Sequence, residues 1–205
     1  MLYAILPCHK RLEQTVALIP RLRNMAGTRI TIIAVAGQES ADVVRACASE
    51  GARGIIGTED RLTYWQAMDL ATRELSSDDV VANVANDILP MWQWYTAALN
   101  RLGTYRVVGF NGDGHGVDHA CHFLTSMWYI RTLGGWPIWY RHNYGDTEIC
   151  TRAREANAFM KEPWAVLYHN HPVMGASPDD AHNDIPNEHH DRDLFRRRRE
   201  AQWTL

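Results

Sequence analysis

Short apolar runs punctuate this chain at regular intervals. Leu2 to Leu6 stops at Pro7, Arg29 to Ala36 reads R-I-T-I-I-A-V-A, and Gly54-Ile55-Ile56 follows. Val80 to Ala85 and Tyr105 to Phe110 continue the series, and Trp164 to Tyr168 closes it. The runs are continuous rather than alternating, as expected of strands covered on both faces. Between them the period changes. Leu12, Val16, Ile19, Leu22 and Met25 recur at helical spacing before Gly27, and Ser40 is placed to cap a helix through Glu50. Helices are also predicted over 62–75, over 91–102 behind Pro90, after Ser126 up to Gly134-Gly135, and over 146–158.

Strands alternating with helices predict a three-layer α/β/α domain around a mostly parallel sheet. The predicted domain covers 1–172. A tail over 173–205 differs in composition: it is rich in His and Asp and ends in Arg196-Arg197-Arg198-Arg199, with Leu194, Phe195 and Trp203 expected to dock on the body.

Composition narrows the function classes. A chain of 205 residues with 46% hydrophobic content supports one sizeable core, and 22% charged residues exclude a disordered or coiled-coil protein. A net charge of -3 gives no global basic field of the kind that advertises nucleic acid. Cys8, Cys47, Cys121 and Cys150 are too scattered for a zinc knuckle or a disulfide framework and read as free thiols. No apolar run approaches the roughly 20 residues of a membrane span, and Pro7 arrives too early for a signal peptide, so a soluble cytoplasmic protein is expected.

In open α/β sheets, ligands sit at the carboxyl ends of the strands. Asn86-Asp87 follows one such end, where a carboxylate can hold a hard divalent cation or simply make a solvated turn. Asp146 stands at a helix start, where an ionised carboxylate is favoured either as a cap or as a general base. His169 and His171 share one face of an extended segment and can point at one ion. Arg192 and Arg196 to Arg199 offer phosphate contacts or a solvated helix face. The pairs Trp92–Trp94 and Trp136–Trp139 offer stacking surfaces, whereas Trp128 and Trp164 read as core.

In order, these segments resemble the GT-A nucleotide-sugar glycosyltransferases, especially the large inverting family called family two. The opening Ile5-Leu6-Pro7-Cys8-His9-Lys10-Arg11 resembles the family's first strand and donor loop. Asn83 to Pro90 resembles its acidic metal motif with only the last carboxylate kept, Ala85 standing at the first. Thr132-Leu133-Gly134-Gly135-Trp136 is similar to the glycine-rich segment before the catalytic acid. Gly145-Asp146-Thr147-Glu148-Ile149-Cys150-Thr151-Arg152-Ala153-Arg154 is similar to E-D-T-D-L-C-x-R-A-R, with Gly145 in place of the usual Glu. Val166 to His171 resembles the strand that delivers a late metal-binding histidine.

The resemblance implies a metal-dependent inverting transfer from a nucleotide sugar, a UDP-sugar first, to a hydroxyl acceptor. Asp87 with His169 or His171 would hold Mn2+ or Mg2+, and Asp146 would be the base. Pro7, His9, Arg11, Gln38, Asn86 and Arg196 would contact the donor; Trp94, Gly135 and Trp136 would contact the acceptor. The arginine tail and the tryptophans extend the acceptor candidates to a modified nucleobase in DNA, as in a phage-type enzyme. Two other readings stand beside this one. The eroded acidic motif fits a catalytically silent nucleotide- or glycan-binding module, and the string His169-Asn170-His171 fits a histidine-metal nuclease.

Overall fold

The computed structural model describes residues 1–170 and 189–204. Eight strands form one sheet: β1 Leu2–Pro7, β2 Thr31–Ala36, β3 Arg53–Ile56, β4 Val80–Asn83, β5 Ile88–Pro90, β6 Val107–Asn111, β7 Phe123–Ser126 and β8 Phe159–His169, in the spatial order β3-β2-β1-β4-β7-β6-β8-β5. The helices are α1 Leu12–Met25, α2 Ala41–Ser49, α3 Tyr64–Thr72, α4 Trp94–Leu99, α5 Met127–Thr132, α6 Gly145–Glu155 and α7 His189–Glu200.

The apolar strands divide their side chains between two cores. Along β1 and β2, Ala4, Leu6, Ile32 and Ala34 face the core shared with α1, α2 and α4, whereas Tyr3, Ile5, Ile33 and Val35 face the one shared with α3, α5 and α6. The period of two thus serves two hydrophobic layers, which is why no polar face interrupts these strands. The expected three-layer α/β/α architecture is observed. Pairing is parallel for β1–β2, β1–β4, β2–β3 and β6–β8, and antiparallel for β4–β7, β6–β7 and β5–β8.

Strands β5 and β7 are the elements that hydrophobic patterning missed; in β5, Pro90 pairs with Leu167 in the sheet instead of opening a helix. Strand β7 is the longer of the two. Its four residues run straight into α5, where the Ser126 hydroxyl accepts from the Tyr129 N–H as the expected cap. Ser40 precedes α2 but makes no side-chain cap. Two tryptophans expected in the core are exposed. Trp164, 79% exposed, sits where β8 bulges out of register with β6 between the Phe110–Glu162 and Asn111–Val166 pairs. Trp128 lies outward on α5 under the Arg106 guanidinium, 5.1 Å from its ring.

Among the described residues, no helix is long and apolar enough to cross a membrane. The four cysteines are free thiols, as expected.

Candidate active site

A cavity of about 980 Å³ opens over the carboxyl ends of β1 and β4 and the amino end of β7. Pro7, His9, Arg11, Asn86, Asp87, Asp146 and His169 all line it. Seven residues expected at the site from separate stretches of sequence therefore share one wall.

Asp87 sits in the turn between β4 and β5. Its Oδ1 lies 3.2 Å from His169 Nε2 and its Oδ2 lies 3.1 Å from the Arg11 guanidinium. The strand pairing that places Ile88 opposite His169 sets the first contact, and the Asn170 N–H donates to the Asp87 carbonyl at 2.7 Å. Burial on its own would raise the carboxyl pKa. The hydrogen bond and charge of His169, followed by Arg11, overcome burial and hold Asp87 well below the usual carboxylate range. Asn86 braces this corner: its Oδ1 accepts from Arg11 at 3.0 Å, and its Nδ2 donates to the His9 carbonyl and to Thr15 Oγ1.

Beside this corner is His122, immediately before β7. It is 4% exposed, and neither ring nitrogen has a hydrogen-bond partner. Its ring centroid is 5.0 Å from that of His169. Burial, then the neighbouring His169, pushes its pKa down to about 3, so the imidazole is neutral with lone-pair capacity directed at no protein donor. A buried polar group left in this state at a cavity wall fits a site that receives a cation.

Asp146 faces the cavity from the second residue of α6. Tyr144, in a left-handed conformation, is the N-cap instead. Asp146 Oδ2 is 3.4 Å from His119 Nε2, and its Oδ1 accepts from the Thr147 N–H at 2.8 Å. Burial opposes ionisation, but the His119 hydrogen bond and charge lower the Asp146 pKa. The same contact raises His119 against its own burial. The pair is an ionised carboxylate beside an imidazole that readily takes a proton.

Gly145 precedes this carboxylate for a steric reason. A Cβ there would lie 2.2 Å from Trp65 Nε1, and the Trp65 ring is itself buried and stacked on Trp136 with centroids 6.1 Å apart. No side chain fits at this position while Trp65 stays in place.

The remaining expectations need correction. Trp94 is fully buried, its Nε1 donates to the Leu22 carbonyl, and it packs on Tyr95 and Phe110, so it offers no face to an acceptor. Trp136 is equally a core residue, stacked between Trp65 and Phe123 with Nε1 on Thr72 Oγ1. Gly135, at φ +105°, makes the turn after α5 and does not line the cavity. Gln38 opens a single 3-10 turn and donates to the Gly57 carbonyl at 2.6 Å, bracing β3 instead of lining the cavity. Arg196 lies on the exposed side of α7 near Asp193, away from the cavity. His171 falls outside the described residues.

The sequence reading missed His115, His119, His122, Tyr64 and His142, which all line the cavity. Three of these come from the 112–122 loop, whose glycines and histidines carry no periodicity. The only usable signal was histidine density between two apolar runs.

No protein-family model matches the chain, and no curated protein matches it in sequence. Solved structures do match its fold. A mannosyltransferase from Pyrobaculum calidifontis, solved with GDP-Man and Mn2+, superposes with a TM-score of 0.65 at 15% identity, over 81% of this chain and 55% of the other. The catalytic domain of Drosophila β1,4-galactosyltransferase 7, solved with xylobiose, gives 0.63 at 14% identity over 95% and 79%. Glucosyl-3-phosphoglycerate synthase from Mycobacterium tuberculosis, solved with Mn2+, UDP and its product, gives 0.62 at 13% identity over 85% and 74%. The chain therefore has the GT-A fold of nucleotide-sugar glycosyltransferases. It spans little more than half the length of the mannosyltransferase it resembles.

Proposed function

We propose that this chain is a metal-dependent inverting glycosyltransferase, moving a sugar from a nucleotide-sugar donor to a hydroxyl acceptor. Fold alone does not carry an activity. The supporting observation is that Asp87 with His169, and Asp146 with His119, stand on the wall of one cavity in the GT-A fold.

Each residue then has a role. Asp87 and His169 hold Mn2+ or Mg2+, with the unpartnered His122 ring beside them, its centroid 5.0 Å from that of His169. A set of one carboxylate and imidazoles favours Mn2+ over Mg2+. The cation, when bound, offsets the charge on the leaving diphosphate. Pro7, His9 and Arg11 contact the nucleotide, and Arg11 also keeps Asp87 ionised through their 3.1 Å ion pair. Asp146 takes the acceptor hydroxyl proton, its ionised form maintained by His119 and by the Thr147 N–H. A single carboxylate in this position suits direct displacement, since double displacement needs a second nucleophile.

A nucleobase hydroxyl in DNA is the narrower acceptor reading, and the tail gives it little support. Arg198 is buried on Glu148, Arg199 pairs with Glu155, and Arg196 lies near Asp193. Cytoplasmic location, the 1–172 and 173–205 division and a UDP donor remain parts of this proposal.

The test is a thermal-shift and donor-hydrolysis panel of UDP-, GDP-, CMP- and dTDP-sugars with and without Mn2+, run on wild type, Asp87→Asn and Asp146→Asn. We expect Mn2+-dependent stabilisation by one nucleotide class, lost in Asp87→Asn and kept in Asp146→Asn, with turnover absent from both. Stabilisation without turnover in wild type, under any acceptor tried, would instead support the silent binding module. No response to any donor would overturn the reading.

A further inference from the structure

The loop joining β6 to β7 brings a second set of ligand atoms into the cavity. One ligand atom each from His115, His119 and Cys121 lies within 4.8 Å of the other two. We propose that these three side chains form a second metal site, for a borderline-soft divalent cation of the zinc type, on the Asp146 side of the cavity.

Donor chemistry separates this site from the Asp87 corner. Two imidazoles and a cysteine sulfur, whose thiol proton is released to solvent as the metal binds, suit Zn2+ and discriminate against Mg2+ and Mn2+, which prefer oxygen. In a tetrahedral zinc site with Zn–N of about 2.0 Å and Zn–S of about 2.3 Å, ligand atoms stand about 3.3–3.8 Å apart. The observed trio, within 4.8 Å, has to close by about 1 Å to reach that spacing. The H-x3-H-x-C arrangement lies on a loop, so backbone anchoring must replace helical periodicity in fixing the ligands.

The anchoring is visible. Asp113, 5% exposed, accepts from the His115 N–H at 3.1 Å through one oxygen and from the Cys121 N–H at 2.8 Å through the other. Lys161, reaching over from β8, bonds the same carboxylate and donates to the His115 carbonyl at 2.9 Å. The two ends of the ligand set are thus tied to one buried ion pair. Asp146 on His119 supplies the outer carboxylate that zinc-bound imidazoles ordinarily have, orienting the ring and raising its basicity.

Three protein ligands leave a fourth position, open to the cavity. On the glycosyl-transfer reading, an oxygen of the acceptor takes that position beside Asp146. The metal site itself does not rest on that reading.

The experiment titrates the metal-free full chain with Co2+ and follows its absorption. We expect a near-ultraviolet thiolate-to-cobalt band that saturates at one equivalent and is displaced by Zn2+. Cys121→Ser should abolish the band, His115→Asn should weaken Co2+ binding by 10-fold or more, and Asp87→Asn should leave the band intact. Circular dichroism of each variant checks that it is folded. A wild type without the band, a band that survives Cys121→Ser, or one lost in folded Asp87→Asn would each overturn the site. A cobalt band together with a blank donor panel would overturn only the glycosyl-transfer reading.

Discussion

Arg198 on the C-terminal helix grips Glu148 on α6 with both arms of its guanidinium, Nε and Nη2 lying 2.9 and 3.0 Å from the two carboxylate oxygens. Both side chains are almost fully buried, Tyr140 donates to the same carboxylate at 2.8 Å, and the guanidinium lies 3.8 Å over the Trp139 ring. Breaking a buried pair costs about 3–5 kcal/mol when the remaining charge is left alone; Arg152, 3.3 Å from the Glu148 carboxylate, keeps part of the compensation and sets that figure as an upper bound. Arg198→Ala should lose stability up to that bound in urea denaturation, whereas Arg197→Ala should change it by less than about 0.5 kcal/mol. Equal effects from the two would show that the ion pair is not what fastens the helix.

Gly145→Ala drives a methyl group into Trp65. Overpacking of this kind costs about 1–3 kcal/mol, and the strain falls next to Asp146. We expect a lower denaturation midpoint and a fall in turnover larger than the fall in donor binding. Pairing it with Trp65→Phe, which frees space at the indole nitrogen, should recover part of both. An Ala variant with unchanged stability would mean that Trp65 moves aside freely.

Asp191 places a pH limit on the tail. Its carboxylate accepts from three successive backbone N–H groups, those of Arg141, His142 and Asn143, at 2.8 to 3.0 Å. Burial opposes the ionised form, but these bonds and His190 lower the folded-state pKa. A depressed carboxyl pKa contributes stability above the unfolded value, about 3.9, and that contribution fades as pH falls through the folded value. Asp191→Asn should therefore be less stable than wild type at neutral pH, and the gap should close in acid. Denaturation midpoints compared across pH would show it; a gap that does not change with pH would assign the effect to shape, not charge.

His122 acts in the same direction, over a higher pH window. Its folded pKa of about 3 lies below the ordinary histidine value of about 6.5, so the unfolded chain takes up the proton first and stability declines once pH falls below the higher figure. His122→Leu removes both the titration and two unpartnered buried nitrogens. It should hold or gain stability without metal, lose acid sensitivity between about pH 6.5 and 4, and weaken Mn2+-dependent donor binding. A variant that binds donor and Mn2+ as wild type does would remove His122 from the site.

How much of this was legible in sequence depends on where each residue's position is determined. Pro7, Asp87 and His169 lie at or beside strand ends, and an apolar run followed by a polar break marks such ends directly. Trp94 and Trp136 were misplaced because an aromatic near a turn reads alike whether its ring enters the core or the cleft; only packing on Phe110 or Trp65 decides. Trp164 erred the other way, since a bulge in β8 leaves no trace in hydrophobic order. His115, His119 and Cys121 left only their density as a signal, not their grouping: Lys161, a residue 48 positions beyond Asp113, helps fix the loop that holds them.

Strand β7 has one more consequence. Because β7 runs antiparallel to β6 and pairs with it directly, residues 112–122 are an enlarged hairpin tip with both stems locked into the sheet. Doubling a loop of this kind costs only about 0.6 kcal/mol in closure entropy. Its middle, residues 114–120, is thus an interchangeable cassette: a graft there alters what meets Asp146, while Gly112, whose carbonyl accepts from the His169 N–H at 3.0 Å, and His122, packed on His169, stay with the Asp87–His169 corner.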